Sequence, residues 1–270
     1  MILLTGATGY LGKELTKILD LNSNNSVLLS SQEGNDYRKC DLTDPDEVAS
    51  LAKEIDPELI IHCAASVPKT MNDYSKSSSH LASHLMSKNL EKFFNTRIIN
   101  ISSMTVYADS DFASHPASEK KTRNVSTNQY AKYKLESEFT FASSKNLDAI
   151  SLRLPGIFSI EREQGIIYEA VKAFSEGSNL DLDKKLPFWS ALHLQDAAIA
   201  IEYFSKNFDT VDDRVINVGY PGKQSIPRII ELIASIFGKS FCHDQLVAPD
   251  FEMDLGIFHK YFQFDNSSLE

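Results

Sequence analysis

The first twelve residues constrain the fold more than any other stretch of the chain. Met1-Ile2-Leu3-Leu4 is an apolar run that breaks after Thr5 into glycines at every third position, Gly6, Gly9 and Gly12. The run reads as a short buried strand. Leu11, Leu15, Ile18 and Leu19 follow at helical spacing, so the glycines occupy a strand-to-helix turn. A helix start offers unpaired backbone N–H groups and a partial positive charge, and glycines without Cβ let an anionic group come against the backbone there. The turn therefore reads as a phosphate seat. Two residues separate its first and second glycines, where the more familiar dinucleotide fingerprint has one. An ordinary glycine-rich turn is the plainer alternative.

At 270 residues the chain can bury a sizeable core and fits one sheet domain with a smaller lobe. Lys and Arg total 27 against 37 Asp and Glu, a formal net charge of −10, which argues against a nucleic-acid or anionic-membrane partner. Cys40, Cys63 and Cys242 are too scattered for a disulfide framework or a zinc pattern and suit a reducing compartment. No apolar run reaches the roughly 18 residues of a membrane span. The first strand begins at Met1, which leaves no room for a signal peptide, and a cytoplasmic protein is expected.

Taken in order, Val27-Leu28-Leu29 is a second short strand. In dinucleotide folds an acid at its end bonds the ribose hydroxyls and selects the unphosphorylated cofactor, whereas this chain has Ser30-Ser31-Gln32, so selectivity stays open. Arg38 and Lys39 lie near enough to meet a 2′-phosphate; a solvated loop pair is the plainer reading. Asp44 caps a helix over about Pro45 to Ile55, and Leu59–His62 is a third buried strand opening into the small residues Cys63, Ala64 and Ala65. Leu81, Leu85 and Leu90 mark a weakly amphipathic helix, on which His80 and His84 read as a packed or solvated pair rather than metal ligands; no metal site is expected. A fourth strand, Arg97–Ile101, leads to Ser102-Ser103, and Asp109 to Asn128 reads as a long exposed loop. The helix from Gln129 has Ala131, Leu135, Phe139 and Ala142 as its apolar face, and a fifth strand, Asp148–Leu154, ends at Pro155-Gly156. Helices over 166–176, 196–204 and 226–237 and strands over 191–194 and 215–218 complete the pattern. Alternating strands and helices predict an α/β protein with a doubly wound parallel sheet and a ligand at the carboxyl ends of its strands.

Tyr130 and Lys134 sit one helical turn apart. A phenol has a reference pKa of about 10, and a nearby cation stabilises its anion; bringing it to about 7 takes roughly 4 kcal/mol. A hydroxyl such as Ser103 can hold a carbonyl or alcohol oxygen while Tyr130 takes or gives its proton.

These residues together resemble the short-chain dehydrogenase/reductase superfamily, in its extended branch of nucleotide-sugar epimerases, dehydratases and reductases. The resemblance is carried by Thr5-Gly6-Ala-Thr-Gly9-Tyr10-Leu11-Gly12, Asp41-Leu42, Ile61-His62-Cys63-Ala64-Ala65, Ser102-Ser103-Met-Thr-Val-Tyr107, Tyr130-Ala-Lys-Tyr-Lys134, Arg153-Leu-Pro155, Leu194-Gln-Asp196 and Ile216-Asn217-Val218-Gly219. It implies a Rossmann-type domain over 1–155 and a small C-terminal substrate-binding lobe over 156–270 whose strand and helix segments return to the core. It implies NAD or NADP as cofactor, held by Gly6, Gly9, Tyr10, Leu11, Gly12, Ser30, Asp41, Leu42, Cys63 to Ala65, Tyr130, Lys134 and Pro155. Ser103, Tyr130 and Lys134 would be the catalytic trio, and Lys134 would also bond the nicotinamide ribose. The substrate implied is a small molecule, a nucleotide sugar, and a homodimer is open. Family dehydratases carry an Asp-Glu pair after the catalytic hydroxyl, where this chain has Met104 and Thr105, so dehydration is disfavoured. The Asn usual in the helix before the fourth strand has no counterpart that can be placed. A catalytically silent dinucleotide-binding sensor of the same fold is the alternative function.

Overall fold

The computed structural model describes residues 1–22, 24–34, 36–67, 77–107, 116–121, 128–163, 165–178, 180, 190–241 and 251–264. Seven parallel strands form the main sheet: β1 (Ile2–Thr5), β2 (Ser26–Ser30), β3 (Arg38–Lys39), β4 (Leu59–His62), β5 (Arg97–Ser103), β6 (Asp148–Leu154) and β9 (Val215–Asn217). Their order is β3-β2-β1-β4-β5-β6-β9, so the chain reverses direction of travel between β1 and β4. β7 (Gly156–Phe158) and β8 (Ala191–His193) make a separate two-stranded parallel sheet.

Successive side chains of a strand point to opposite faces, and both faces of this sheet are covered. Leu3, Ile60 and Ile98 pack on one face with Val48 and Leu51 of α2 (Pro45–Glu54), Leu90 of α3 (Ser77–Phe93) and Phe141 of α4 (Gln129–Ala142). Their neighbours Leu4, Ile61 and Ile99 pack on the other with Leu15 of α1 (Tyr10–Ile18) and Ala197, Ile201 and Phe204 of α6 (Leu194–Lys206). This is the Rossmann-type doubly wound sheet. In the C-terminal part, α5 (Ile166–Ser175) and α7 (Ile226–Ile236) pack on each other through Ala170, Phe174, Ile230 and Ile233. No helix among the described residues is long and apolar enough to cross a membrane.

The structure corrects several readings. Arg38 and Lys39 are not in a loop but form β3, the edge strand, paired with Leu29 and Ser30. The leucines taken to mark α3 mostly face outward: Leu81 is 43 % and Leu85 39 % exposed, while His80, Ser83, Ser87 and Leu90 are buried. On α4, Phe139 is 64 % exposed and Ala142 is exposed, because the helix turns Lys134, Ser137 and Glu138 inward instead. Polar groups take those places because partners await them. The Ser87 hydroxyl donates to Ser137 at 2.8 Å, and Glu138 meets Arg153 of β6. The described part of the expected loop, 116–121, is tethered, with Ala117 buried and bridged to Met253 and Glu119 accepting the Asn217 N–H at 2.8 Å. Its remainder, 109–115 and 122–127, lies outside the described residues.

The buried Glu138–Arg153 pair is costly to break by removing one partner. Arg153 donates from Nε to Oε1 at 2.9 Å and from Nη2 to Oε2 at 2.6 Å, with both side chains buried. Burial works against the guanidinium charge, but the carboxylate and Tyr107 hold it firmly protonated. Arg153→Met is expected to lower the unfolding free energy by about 3–5 kcal/mol, since it strands a buried carboxylate. Urea denaturation should give that loss, and Arg153→Met combined with Glu138→Leu should recover most of it. A single variant within about 0.5 kcal/mol of wild type would contradict the assignment.

Candidate active site

The carboxyl ends of β1, β4, β5 and β6 open into one cleft of about 800 Å³. Every residue singled out from the sequence as catalytic or cofactor-binding, from Gly6 to Pro155, lines it. They converge because a parallel sheet delivers the end of each strand to one edge, and a ligand crevice opens where strand order reverses.

The glycines are explained one by one. Gly6 has φ of +68°, a region glycine enters freely, and a Cβ there would stand 2.7 Å from the backbone nitrogen of Ala64. A Cβ on Gly12 would fall 2.2 Å from the Gly6 carbonyl oxygen. Gly9 differs: its Cβ would meet only that same oxygen, at 3.1 Å, so it faces open space at the start of α1. An anion seated there would meet the unpaired N–H groups of a helix start with no side chain in the way, which is what a dinucleotide pyrophosphate requires. The opposite wall is fixed by Thr5, whose hydroxyl accepts the Ala64 N–H at 3.1 Å and lies 2.8 Å from Nδ1 of His62. Burial holds that imidazole neutral, down to about 3, with the Lys134 ammonium adding to the effect.

Farther along, Ser102 and Ser103 alternate. The buried Ser102 hydroxyl donates to Glu138, while Ser103 is half-buried on the cleft wall and accepts from the Thr105 hydroxyl at 3.0 Å. Asn128 caps α4 by accepting the Ala131 N–H at 2.9 Å, which sets Tyr130 in the first turn of α4. The Lys134 Nζ lies 5.9 Å from the centre of the Tyr130 ring and donates to the Ile101 carbonyl at 2.6 Å. An ammonium has three donors, and this bond uses one of them. Burial brings this lysine down to about 8, partly opposed by Cys63 and Glu138. Burial also pushes the Cys63 thiol up to about 12, so it stays protonated beside the ammonium.

At the end of the cleft beyond β2, Asp41 accepts the Thr43 N–H at 2.8 Å, closing its turn, and the Leu42 carbonyl accepts from Asn89 of α3 at 2.9 Å. Ser30 is buried; its hydroxyl accepts the Gln32 N–H at 3.0 Å and lies 3.4 Å from that of Thr8. The two basic residues nearby are engaged elsewhere, Arg38 with Glu54 at 2.5 Å and Lys39 with Glu33 at 3.5 Å.

Sequence reasoning missed three residues. His80 is buried, holds the Ser66 carbonyl at 3.0 Å and sets its ring edge-on to Tyr130 at 5.4 Å. Asn89 anchors the turn after Asp41, and Arg162 lines the cleft from the C-terminal side. Only the single turn between His80 and His84 hinted at any of these, and His84 points elsewhere, tilted on Tyr133 and 3.4 Å from Glu136.

A doubly wound parallel sheet with a glycine cradle at its reversal point defines a Rossmann-type dinucleotide-binding protein. A family profile described as the NAD dependent epimerase/dehydratase family matches residues 2–219, and the chain belongs to that family. Its cofactor class is a nicotinamide dinucleotide, NAD or NADP. Among curated proteins it is 27 % identical over 190 residues to methionine adenosyltransferase 2 subunit beta of Bos taurus, covering 67 % of this chain and 55 % of that one. The Xenopus laevis protein of the same name is 28 % identical over 209 residues, covering 73 % and 59 %. The chain thus spans little more than half the length of the curated relatives it matches. Among solved structures, UDP-N-acetylglucosamine 4-epimerase from Bacillus cereus aligns with a TM-score of 0.72 at 21 % identity, covering 99 % of this chain and 92 % of that one. The Bordetella bronchiseptica enzyme WbmG in complex with NAD and UDP gives 0.76 at 17 %, covering 98 % and 90 %. At these identities the structural likeness is one of fold.

The three glycines should separate folding from binding. Gly9→Val is expected to keep the helical and strand content of wild type while abolishing dinucleotide binding by calorimetry, because its side chain fills the anion's place. Gly12→Val should instead destabilise the fold, its Cβ meeting backbone. Normal binding by a folded Gly9→Val protein would put the phosphate seat elsewhere.

Proposed function

We propose that the protein is an NAD(P)-dependent oxidoreductase or epimerase acting on a carbonyl or alcohol carbon of a sugar attached to a nucleotide. The observation that carries this reading is the buried Lys134 ammonium beneath the Tyr130 ring, both on the cleft wall with Ser103. Gly6, Gly9, Tyr10, Leu11 and Gly12 hold the pyrophosphate, Ser30, Asp41 and Leu42 the adenosine, Cys63 to Ala65 the middle, and Lys134 and Pro155 the nicotinamide end. When bound, the dinucleotide supplies a hydride acceptor or donor for the sugar carbon. Ser103 donates a hydrogen bond to the reacting oxygen and fixes its position. Tyr130 takes the hydroxyl proton as the alcohol becomes a carbonyl and returns it in the reverse direction. Lys134 stabilises the phenolate that the first direction requires. Met104 is buried, and Thr105 turns its hydroxyl onto Ser103, so the acid pair expected of a dehydratase is not supplied at these positions.

A second reading is a catalytically silent dinucleotide-binding subunit. It is favoured by the curated relatives, which are named as subunits of methionine adenosyltransferase. A Ser, a Tyr and a Lys gathered on one wall favour the enzyme, since a sensor has no need of them.

Tyr130→Phe is expected to lower turnover by about 10² or more with cofactor affinity within about twofold of wild type, because only the proton-transfer group is lost. Steady-state assays with a nucleotide sugar and calorimetry test both halves, and undiminished turnover sinks the catalytic assignment. Lys134→Met should lose turnover and cofactor affinity together. The sign with pH follows: the lysine is a cation below about 8, so dinucleotide affinity of the free wild-type protein should fall as pH rises through that value, and the Met variant should show no such fall.

Cofactor choice is the last expectation. The Ser30 and Ser31 hydroxyls repel no 2′-phosphate, yet Arg38 and Lys39 are committed to carboxylates, and a phosphate is normally met by a charge-assisted bond about twice as strong as a neutral one. Discrimination between NAD and NADP should be below about 2 kcal/mol, under roughly thirtyfold, and Ser30→Asp should shift it toward NAD. Paired titrations on wild type and variant decide, and an already strong wild-type preference or no shift removes Ser30 as the selecting position.

A further inference from the structure

The helix start and its glycines offer dipoles to a pyrophosphate but no full charge, and a pyrophosphate in a dinucleotide carries two negative charges. Of the described residues lining the cleft, only Lys134 and Arg162 are cationic. Lys134 stands with Tyr130 and the Ile101 carbonyl, at the end of the cleft assigned to proton transfer. Arg162 stands over the side chain of Tyr10, the residue after Gly9, and lines the same cleft as the glycines. Its guanidinium carbon lies 5.5 Å from the centre of the Tyr10 ring, and Tyr10 is the first residue of α1. The arginine is held from behind, Nη1 donating to the Ile157 carbonyl at 2.6 Å, which occupies one of five N–H donors. The segment carrying it is fastened to the same turn, since the Tyr10 hydroxyl donates to Ser159. That segment is folded back on itself, the Arg162 N–H bonding the Ser159 carbonyl at 3.2 Å and the Glu161 N–H the Ser159 hydroxyl at 3.1 Å. Arg162 is flanked by Glu161 and Glu163, which also line the cleft, so without it this wall would be purely acidic toward an anion.

We propose that Arg162 is the cation that holds the dinucleotide pyrophosphate against the start of α1, with the Tyr10–Ser159 bond fixing the segment that carries it. This rests on the reading of the cleft as a dinucleotide site. A planar guanidinium held by its rear edge on an aromatic ring presents its remaining donors as a fork, the shape suited to paired phosphate oxygens. A nucleotide sugar also carries a pyrophosphate; the dinucleotide is the favoured source because Arg162 rests on Tyr10, whose own backbone N–H belongs to the anion seat.

The test compares wild type, Arg162→Met and Arg162→Lys by calorimetry, using whichever of NADH and NADPH wild type binds more tightly, then adenosine and UDP, at low and at physiological ionic strength. Arg162→Met is expected to weaken the dinucleotide about tenfold or more, with a flatter salt dependence, while adenosine and UDP stay within about twofold. Arg162→Lys should recover part of the loss, having the charge without the fork. Circular dichroism of each variant guards against misfolding, and Glu161→Gln, which removes a flanking carboxylate, should tighten the dinucleotide instead. An Arg162→Met protein that binds the dinucleotide like wild type overturns the proposal. So does a loss confined to UDP, which would assign Arg162 to the substrate, or an equal loss for adenosine, which has no phosphate. Wild type that binds neither dinucleotide overturns the functional reading along with it, a result distinct from all of these.

Discussion

At the turn after β1, Gly6 comes so close to Ala64 that no side chain fits between them, and the cleft exists because of that contact. A Cβ would stand 2.7 Å from the Ala64 nitrogen, so the ends of β1 and β4 are drawn together where the sheet reverses its order of travel. Thr5 then spans the same junction: its hydroxyl accepts the Ala64 N–H and lies 2.8 Å from the His62 ring nitrogen, and its carbonyl accepts the Cys63 N–H at 3.3 Å. The small residues Cys63, Ala64 and Ala65 follow from the same constraint. A bulky side chain at Ala64 would push the glycine turn away from β4 and move the helix start with it.

A second constraint ties the reacting end to the first. Glu138 lies one turn beyond Lys134 on α4 and bonds both Ser102 of β5 and Arg153 of β6. Ser102 is the residue before Ser103, and Arg153 precedes Leu154 and Pro155 on the cleft wall. One buried carboxylate therefore registers the helix carrying Tyr130 and Lys134 against the strand carrying Ser103. Removing one partner of such a pair leaves an uncompensated charge, which gives this register little freedom to slip.

What could be read from the sequence follows from how local each signal is. The glycine turn, the parallel strands and the one-turn separation of Tyr130 and Lys134 are written within a few residues of one another, so spacing alone exposes them. The inward faces of α3 and α4 are not. Ser87, Ser137 and Glu138 are buried because their partners, 50 residues apart for the two serines and 15 for Glu138 and Arg153, meet only after folding. A hydrophobic pattern chooses Leu81, Leu85 and Phe139 for those positions and points the wrong way. β3 was hidden for a related reason: a two-residue edge strand has no period to detect. Arg162 had no local signal either, since its place over Tyr10 depends on a segment about 150 residues downstream returning to the first turn.

Net charge, too, informs less than placement does. A protein at −10 repels anions at long range, yet the Debye length at physiological ionic strength is about 8 Å, so exposed charges farther from the cleft than this are largely screened there. What a ligand meets in the cleft is the local set: the N–H groups of the α1 start, one guanidinium stacked on Tyr10 and one ammonium beside Tyr130, with the carboxylates of Asp41, Glu161 and Glu163 on the same walls. The net acidic charge accordingly discourages polyanions, whose charge extends over many Debye lengths, while a small anion in the cleft would be governed by these nearby groups.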